Sequence, residues 1–74
     1  MEIELVDLVT QVDVITVLAN LKDEYRYLLV AKYIENKSID EISLETGKSY
    51  KTTESMLTRS REAFRKEFKQ IIKS

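Results

Sequence analysis

Residues 38–49 read SIDEISLETGKS, and they constrain the fold more than any other stretch. Ser38 followed three residues later by Glu41 is a capping box, in which each side chain accepts the other residue's backbone N–H. It predicts a short helix from about Ile39 to Thr46. Gly47 is the only glycine in the chain. It stands just past that helix, where a left-handed backbone is needed and glycine has no Cβ to clash. Ser49 is the next cap, so a second helix is expected from Tyr50. A short helix, a glycine-centred turn and a longer helix is the layout of a helix-turn-helix. Zero Pro and one Gly in 74 residues argue against a loop-rich or all-β design. The expected class is all-α, a small bundle of four to five helices containing a helix-turn-helix.

The helix from Tyr50 has a readable face. Thr53, Leu57, Ser60, Phe64, Phe68 and Ile71 recur at spacings of three and four, which makes one stripe for the core. Lys51, Ser55, Thr58, Arg59, Glu62 and Lys66 point the other way. Upstream, Asp23 and Glu24 suit the positive end of another helix. Tyr25, Leu28, Leu29 and Lys32 share a face there, widened by Val30, Tyr33 and Ile34, and Asn36 is placed for a left-handed cap. Residues 2–21 are less clear. The run VTQVDVITV is rich in β-branched residues and could make a strand. Val14, Leu18 and Leu21 keep helical spacing, however, so one or two helices are expected, broken and capped at Asp13. The four Tyr are expected mostly in the core or at its edge, and Met56 as a flank packer.

Composition narrows the function. There is no Cys, hence no disulfide or thiolate metal site, and no His, the commonest general base and metal ligand. Asp40–Glu41 and Asp23–Glu24 resemble catalytic pairs only superficially, since both open helices. No nucleophile is paired with a base and no glycine-rich phosphate loop occurs, so the expectation is no enzyme activity and no cofactor. No apolar run nears the ~20 residues of a membrane span. The N-terminus MEIELVDL lacks the basic start of a secretory signal. A cytoplasmic location is expected.

Charge is segregated. The formal net charge is −1, yet residues 47–74 hold eight Lys/Arg and three Glu, while residues 1–37 hold four Lys/Arg and seven Asp/Glu. A helix preceded by a short one and a tight turn can enter the DNA major groove. Its first turns then face base edges, and cations further along face phosphates. Ser49 and the helix-start N–H groups suit a phosphate. The candidate DNA-contacting set is Ser49, Tyr50, Lys51, Thr52, Glu54, Ser55, Thr58, Arg59 and Arg61, with Arg65 and Lys66 as further backbone cations. The plainer reading is a solvated face: cations near a helix C-terminus favour the dipole, and Glu62–Lys66 is a stabilising i,i+4 pair. The capping box, Gly47 and Ser49 in series favour DNA binding.

From Leu21 to Phe68 the chain resembles the C-terminal, promoter-reading domain 4 of bacterial sigma factors, and the extracytoplasmic-function group looks closest. The residues that carry the resemblance are Leu21, Asp23-Glu24 and Arg26 before YLLVAKYIE; SIDEIS at 38–43; Gly47, Ser49 and Thr52; and Ser55, Leu57, Arg59, Arg61, Phe64 and Arg65. Lys22 stands where Pro is usual, Asn36 for Gly, Lys48 for an apolar residue and Thr53 for Val. Met56 occupies an often basic position. The resemblance implies recognition of the −35 promoter element within RNA polymerase holoenzyme. It implies promoter DNA, the polymerase β-subunit flap and, commonly, an anti-sigma factor as partners, with no small-molecule substrate. It assigns residues 1–20 to the end of the interdomain region and 21–74 to the DNA-binding domain. Two other readings compete. One is another helix-turn-helix regulator, such as a response-regulator effector domain; LKDEYR lacks that group's usual start. The other is a sigma-like interaction module that has lost DNA binding, which the net charge and Met56 favour.

Overall fold

The computed structural model describes residues 14–73, with side chains for 14–71. Residues 14–19 are helical (α1). Helix α2 is Asp23–Leu29 and runs on into a π turn, Val30–Ile34. Helix α3 is Ile39–Thr46 and α4 is Tyr50–Lys73. No strand occurs among the described residues, and the described part of VTQVDVITV is helical. The expected break and cap at Asp13 lie outside the described residues.

The local signals explain where α3 and α4 begin. Ser38 Oγ accepts the Glu41 N–H at 3.1 Å, and the Glu41 carboxylate accepts the Ser38 N–H at 2.9 Å. Gly47 is left-handed, with φ 73° and ψ 14°. Ser49 Oγ accepts the Thr52 N–H at 3.1 Å. Asn36 has φ 57°, the left-handed geometry expected there.

Helix α2 closes near Asn36, as expected, but not as a plain α-helix. Its last turn opens into a π turn, with the Glu35 N–H donating to the Val30 carbonyl at 2.9 Å. A π turn carries one extra residue, so the side chains that follow leave the α-helical register. Tyr33 and Ile34, expected to widen the apolar face, are 54% and 63% exposed. Tyr27 and Tyr50 are also exposed, so Tyr25 alone keeps the core-edge position expected of most of the four tyrosines.

Two apolar clusters hold the helices together. Leu28, Ala31, Ile42 and Leu57 join α2, its π turn, α3 and α4, with Ile39 and Met56 against them. Leu18, Leu21 and Leu29 bring in α1, with Val14, Tyr25, Ala63 and Phe64 alongside. Helix α4 therefore spans both. Thr53, Leu57 and Ser60 of its stripe are buried; Phe64, Phe68 and Ile71 are half-buried. At ~1.5 Å per residue its 24 residues extend about 36 Å, nearly the molecule's 42 Å length. The far end of the stripe is less deeply covered than its start. Phe64 and Phe68 offset this by stacking on each other, with centroids 6.1 Å apart.

The α1–α2 corner is tied by Arg26. Its Nη1 donates to the carbonyls of Leu18 and Leu21, both at 3.3 Å, and its Nη2 pairs with Asp23. Leu18 lies in the last turn of α1, where its carbonyl also accepts the Leu21 N–H at 3.2 Å, and Leu21 lies just past the helix end.

Candidate nucleic-acid interface

Helix α4 is presented by α3 and by the turn at residues 47–49. Two buried hydroxyls let its inner face approach the body closely. Thr53 Oγ1 donates to the Ser49 carbonyl at 2.9 Å, and Ser60 Oγ donates to the Met56 carbonyl at 2.8 Å. Both hydroxyls are satisfied within the helix, so their burial leaves no polar group unpaired. Met56 is half-buried against the core, so the often basic position it occupies is used here for packing.

Helix α3 is held from its far side by a polar cluster. Tyr27 Oη and Lys37 Nζ each donate to Glu45 at 2.9 Å, and Lys37 also pairs with Glu35 at 3.3 Å. The Lys37 ammonium, then the Tyr27 hydroxyl, hold the Glu45 carboxyl below its ordinary pKa. The same bonds raise Lys37, through Glu45 and then Glu35, and raise Tyr27, through Glu45.

Of the sequence-predicted contact residues, Ser49, Tyr50, Lys51, Thr52, Glu54, Ser55, Thr58 and Arg59 are exposed, and Arg61 is partly buried. Lys51, Ser55, Thr58 and Arg59 share the side of α4 opposite Leu57 and Ser60. Ser49 Oγ is engaged twice, as the cap for Thr52 N–H and as donor to Thr52 Oγ1 at 2.9 Å. Among the described residues Lys51 and Arg59 form no ion pair. Glu62 and Lys66 do not form the pair their spacing allows; the ion pairs among the described residues involve Arg26 and Lys37. The plainer reading of the basic face therefore loses one of its supports.

Arg61 departs from the rest of the set. Its Nη1 donates to Tyr33 Oη at 3.1 Å and its Nη2 to Thr58 Oγ1 at 3.2 Å. With Arg65 it rims an apolar groove of about 320 Å³, lined by Val14, Leu18, Leu29, Tyr33, Ile34 and Phe64. Sequence reasoning missed both the groove and the Arg61–Tyr33 contact, because the partners lie 28 residues apart and on different helices. Among the described residues no group of acidic side chains could hold a metal ion.

This arrangement is a capped short helix, a left-handed glycine and a long helix with a polar, cationic outer side. The model of the family described as sigma-70, region 4 matches residues 11–64. The chain belongs to the sigma-70 region 4 family. In sigma factors region 4 binds the −35 element and takes part in transcription initiation with RNA polymerase. It is a DNA-binding regulatory domain rather than a catalytic one. The match includes the whole helix-turn-helix and ends within α4 at Phe64. No curated protein and no solved structure matches the chain. Among the described residues of this region 4 domain, no helix is long and apolar enough to cross a membrane.

Proposed function

We propose that this region 4 domain reads the −35 element for an alternative sigma factor of the extracytoplasmic-function type, acting in the cytoplasm. The observation that carries the reading is the outer side of α4, where Lys51 and Arg59 are exposed and have no ion-pair partner among the described residues. A cation already neutralised by a carboxylate gains little from a phosphate; these two are unencumbered. Lys51, in the first turn, is assigned to base edges together with Ser55 and Thr58. Arg59, two turns on, is assigned to the phosphate backbone, and Ser49, Tyr50, Thr52 and Glu54 surround the entry of the helix. The β-subunit flap of the polymerase is the protein partner we assign, with an anti-sigma factor as regulator. The apolar groove beside Arg61 and Arg65 offers a surface suited to an apolar helix.

Binding isotherms across salt concentration test the reading. Arg59→Ala is expected to weaken binding to all duplexes alike and to lower the salt slope by about one unit, the signature of one lost phosphate contact. Lys51→Ala is expected to reduce discrimination between duplexes. Parent-like isotherms for both variants would move the interaction-module reading, which the core-packed Met56 favours, into first place.

A further inference from the structure

The Tyr33–Arg61–Thr58 chain crosses from the π turn after α2 to the outer side of α4. It rests on the DNA-binding reading above and sharpens it. Among the described cations of α4, Arg61 is the one whose guanidinium is bonded inside the fold. The direction of each bond is forced by chemistry. A guanidinium can only donate, so Thr58 Oγ1 accepts from Arg61 Nη2 at 3.2 Å. A carbonyl can only accept, so the same hydroxyl spends its one proton on the Glu54 carbonyl at 3.2 Å. Thr58 thus has its donor and one lone pair occupied. One lone pair remains, on an exposed side chain.

We propose that Arg61 is a positioning residue, braced by Tyr33, that fixes Thr58 as an acceptor for an exocyclic amino group in the major groove. The amino groups that groove presents are adenine N6 and cytosine N4. A threonine whose hydroxyl rotates freely can donate or accept, and so discriminates weakly. Held by Arg61 on one side and by the helix backbone on the other, this one can only accept. Tyr33 sits in the π turn, and π turns recur at functional sites. Here the turn carries the hydroxyl that anchors the free end of Arg61. Arg61 accordingly contributes to which base is read, and Arg59 to how tightly any duplex is held.

The test starts from selection by the full chain on a pool of duplexes randomised over one helical turn, followed by isotherms on the selected duplex and its single-base variants. Thr58→Val keeps the shape and removes the acceptor. It is expected to lose about three- to tenfold in discrimination at one A·T or C·G pair, the worth of one hydrogen bond. Tyr33→Phe and Arg61→Met are expected to lose discrimination at that same pair, with the salt slope unchanged. A double Tyr33→Phe/Arg61→Met chain should be no worse than Arg61→Met alone. An Arg61→Met chain that loses about one unit of salt slope evenly over all duplexes, with Tyr33→Phe silent, would make Arg61 a phosphate ligand and overturn the inference alone. A parent whose binding is absent or indifferent to sequence would overturn the DNA-reading proposal as well, so the two failures are separable.

Discussion

Gly47 is the single residue on which the turn depends. Its φ of 73° lies in the region L side chains rarely adopt, and a Cβ built there would meet nothing within 4 Å. The cost of a substitution is therefore backbone strain without a clash. Gly47→Ala is expected to destabilise the domain by about 1–2 kcal/mol, and Gly47→Asn by less, since Asn tolerates this geometry. Denaturant midpoints of the three proteins check the order. Glu45 gives a second residue-scale prediction. Its folded carboxyl sits below its ordinary pKa because of Lys37 and Tyr27. Its contribution is present above the unfolded value and is lost as pH falls through the folded one. Lys37 and Tyr27 are raised, so theirs are complete below the unfolded values and lost as pH rises through the folded ones. Glu45→Gln should accordingly flatten the acid limb of a stability–pH curve, and parent and variant should converge below the glutamate range. Glu45 and Tyr27 are exposed and Lys37 partly so, and screening by salt should shrink the difference.

At the scale of the element, the helices differ in what anchors them. Helix α3 is fastened by its own capping box and would start at Ile39 in many contexts. Helix α1 depends on a neighbour: Arg26 reaches the carbonyl of Leu18 in its last turn and that of Leu21 just past its end, eight and five residues upstream. Leu18 O keeps the Leu21 N–H at 3.2 Å, so removing that guanidinium takes the side-chain donor chiefly from the part-buried Leu21 carbonyl just past α1. Arg26→Ala should cost about 1–3 kcal/mol, the range for losing such a partner, and Arg26→Lys should recover only part, because one ammonium cannot match the fork. Amide hydrogen exchange offers the sharper check. Protection in residues 17–20 should fall while that of α3 stays at the parent level. Equal loss in both helices would mean that Arg26 serves the whole fold rather than the corner.

For the whole molecule, α4 is the long axis onto which the other helices pack. A domain of 74 residues is held by roughly 4–11 kcal/mol in total at the usual stability per residue. Leu57 is 1% exposed and sits between α2, its π turn and α3. Leu57→Ala should cost about 2–5 kcal/mol, enough to threaten the fold. Phe64 is only half-buried, in the second cluster and stacked on Phe68. Phe64→Ala should cost about 1–2 kcal/mol, short of the ~3–5 of a fully buried phenylalanine. Thermal melts of the two variants rank them; a larger loss at Phe64 would show that the α1 side dominates stability.

What the sequence determined alone is the helix-turn-helix itself. The limits of α3, the left-handed Gly47 and the start of α4 each depend on atoms within three or four residues, so the capping box, the lone glycine and Ser49 were enough to place them. The outward direction of Lys51, Ser55, Thr58 and Arg59 followed from helical period. The tertiary structure alone decided the rest. Periodicity marked Phe64, Phe68 and Ile71 as core but could not say how far the shorter helices reach along α4. It put Tyr33 and Ile34 on the apolar face, and a π turn, which changes the period, carried them out. Arg61 lies in an unbroken helical pattern and read as another cation for DNA. What no pattern showed is its bond to a tyrosine 28 residues away, since a hydrogen bond over that separation depends on how α2 docks against α4, a geometry that no local pattern encodes.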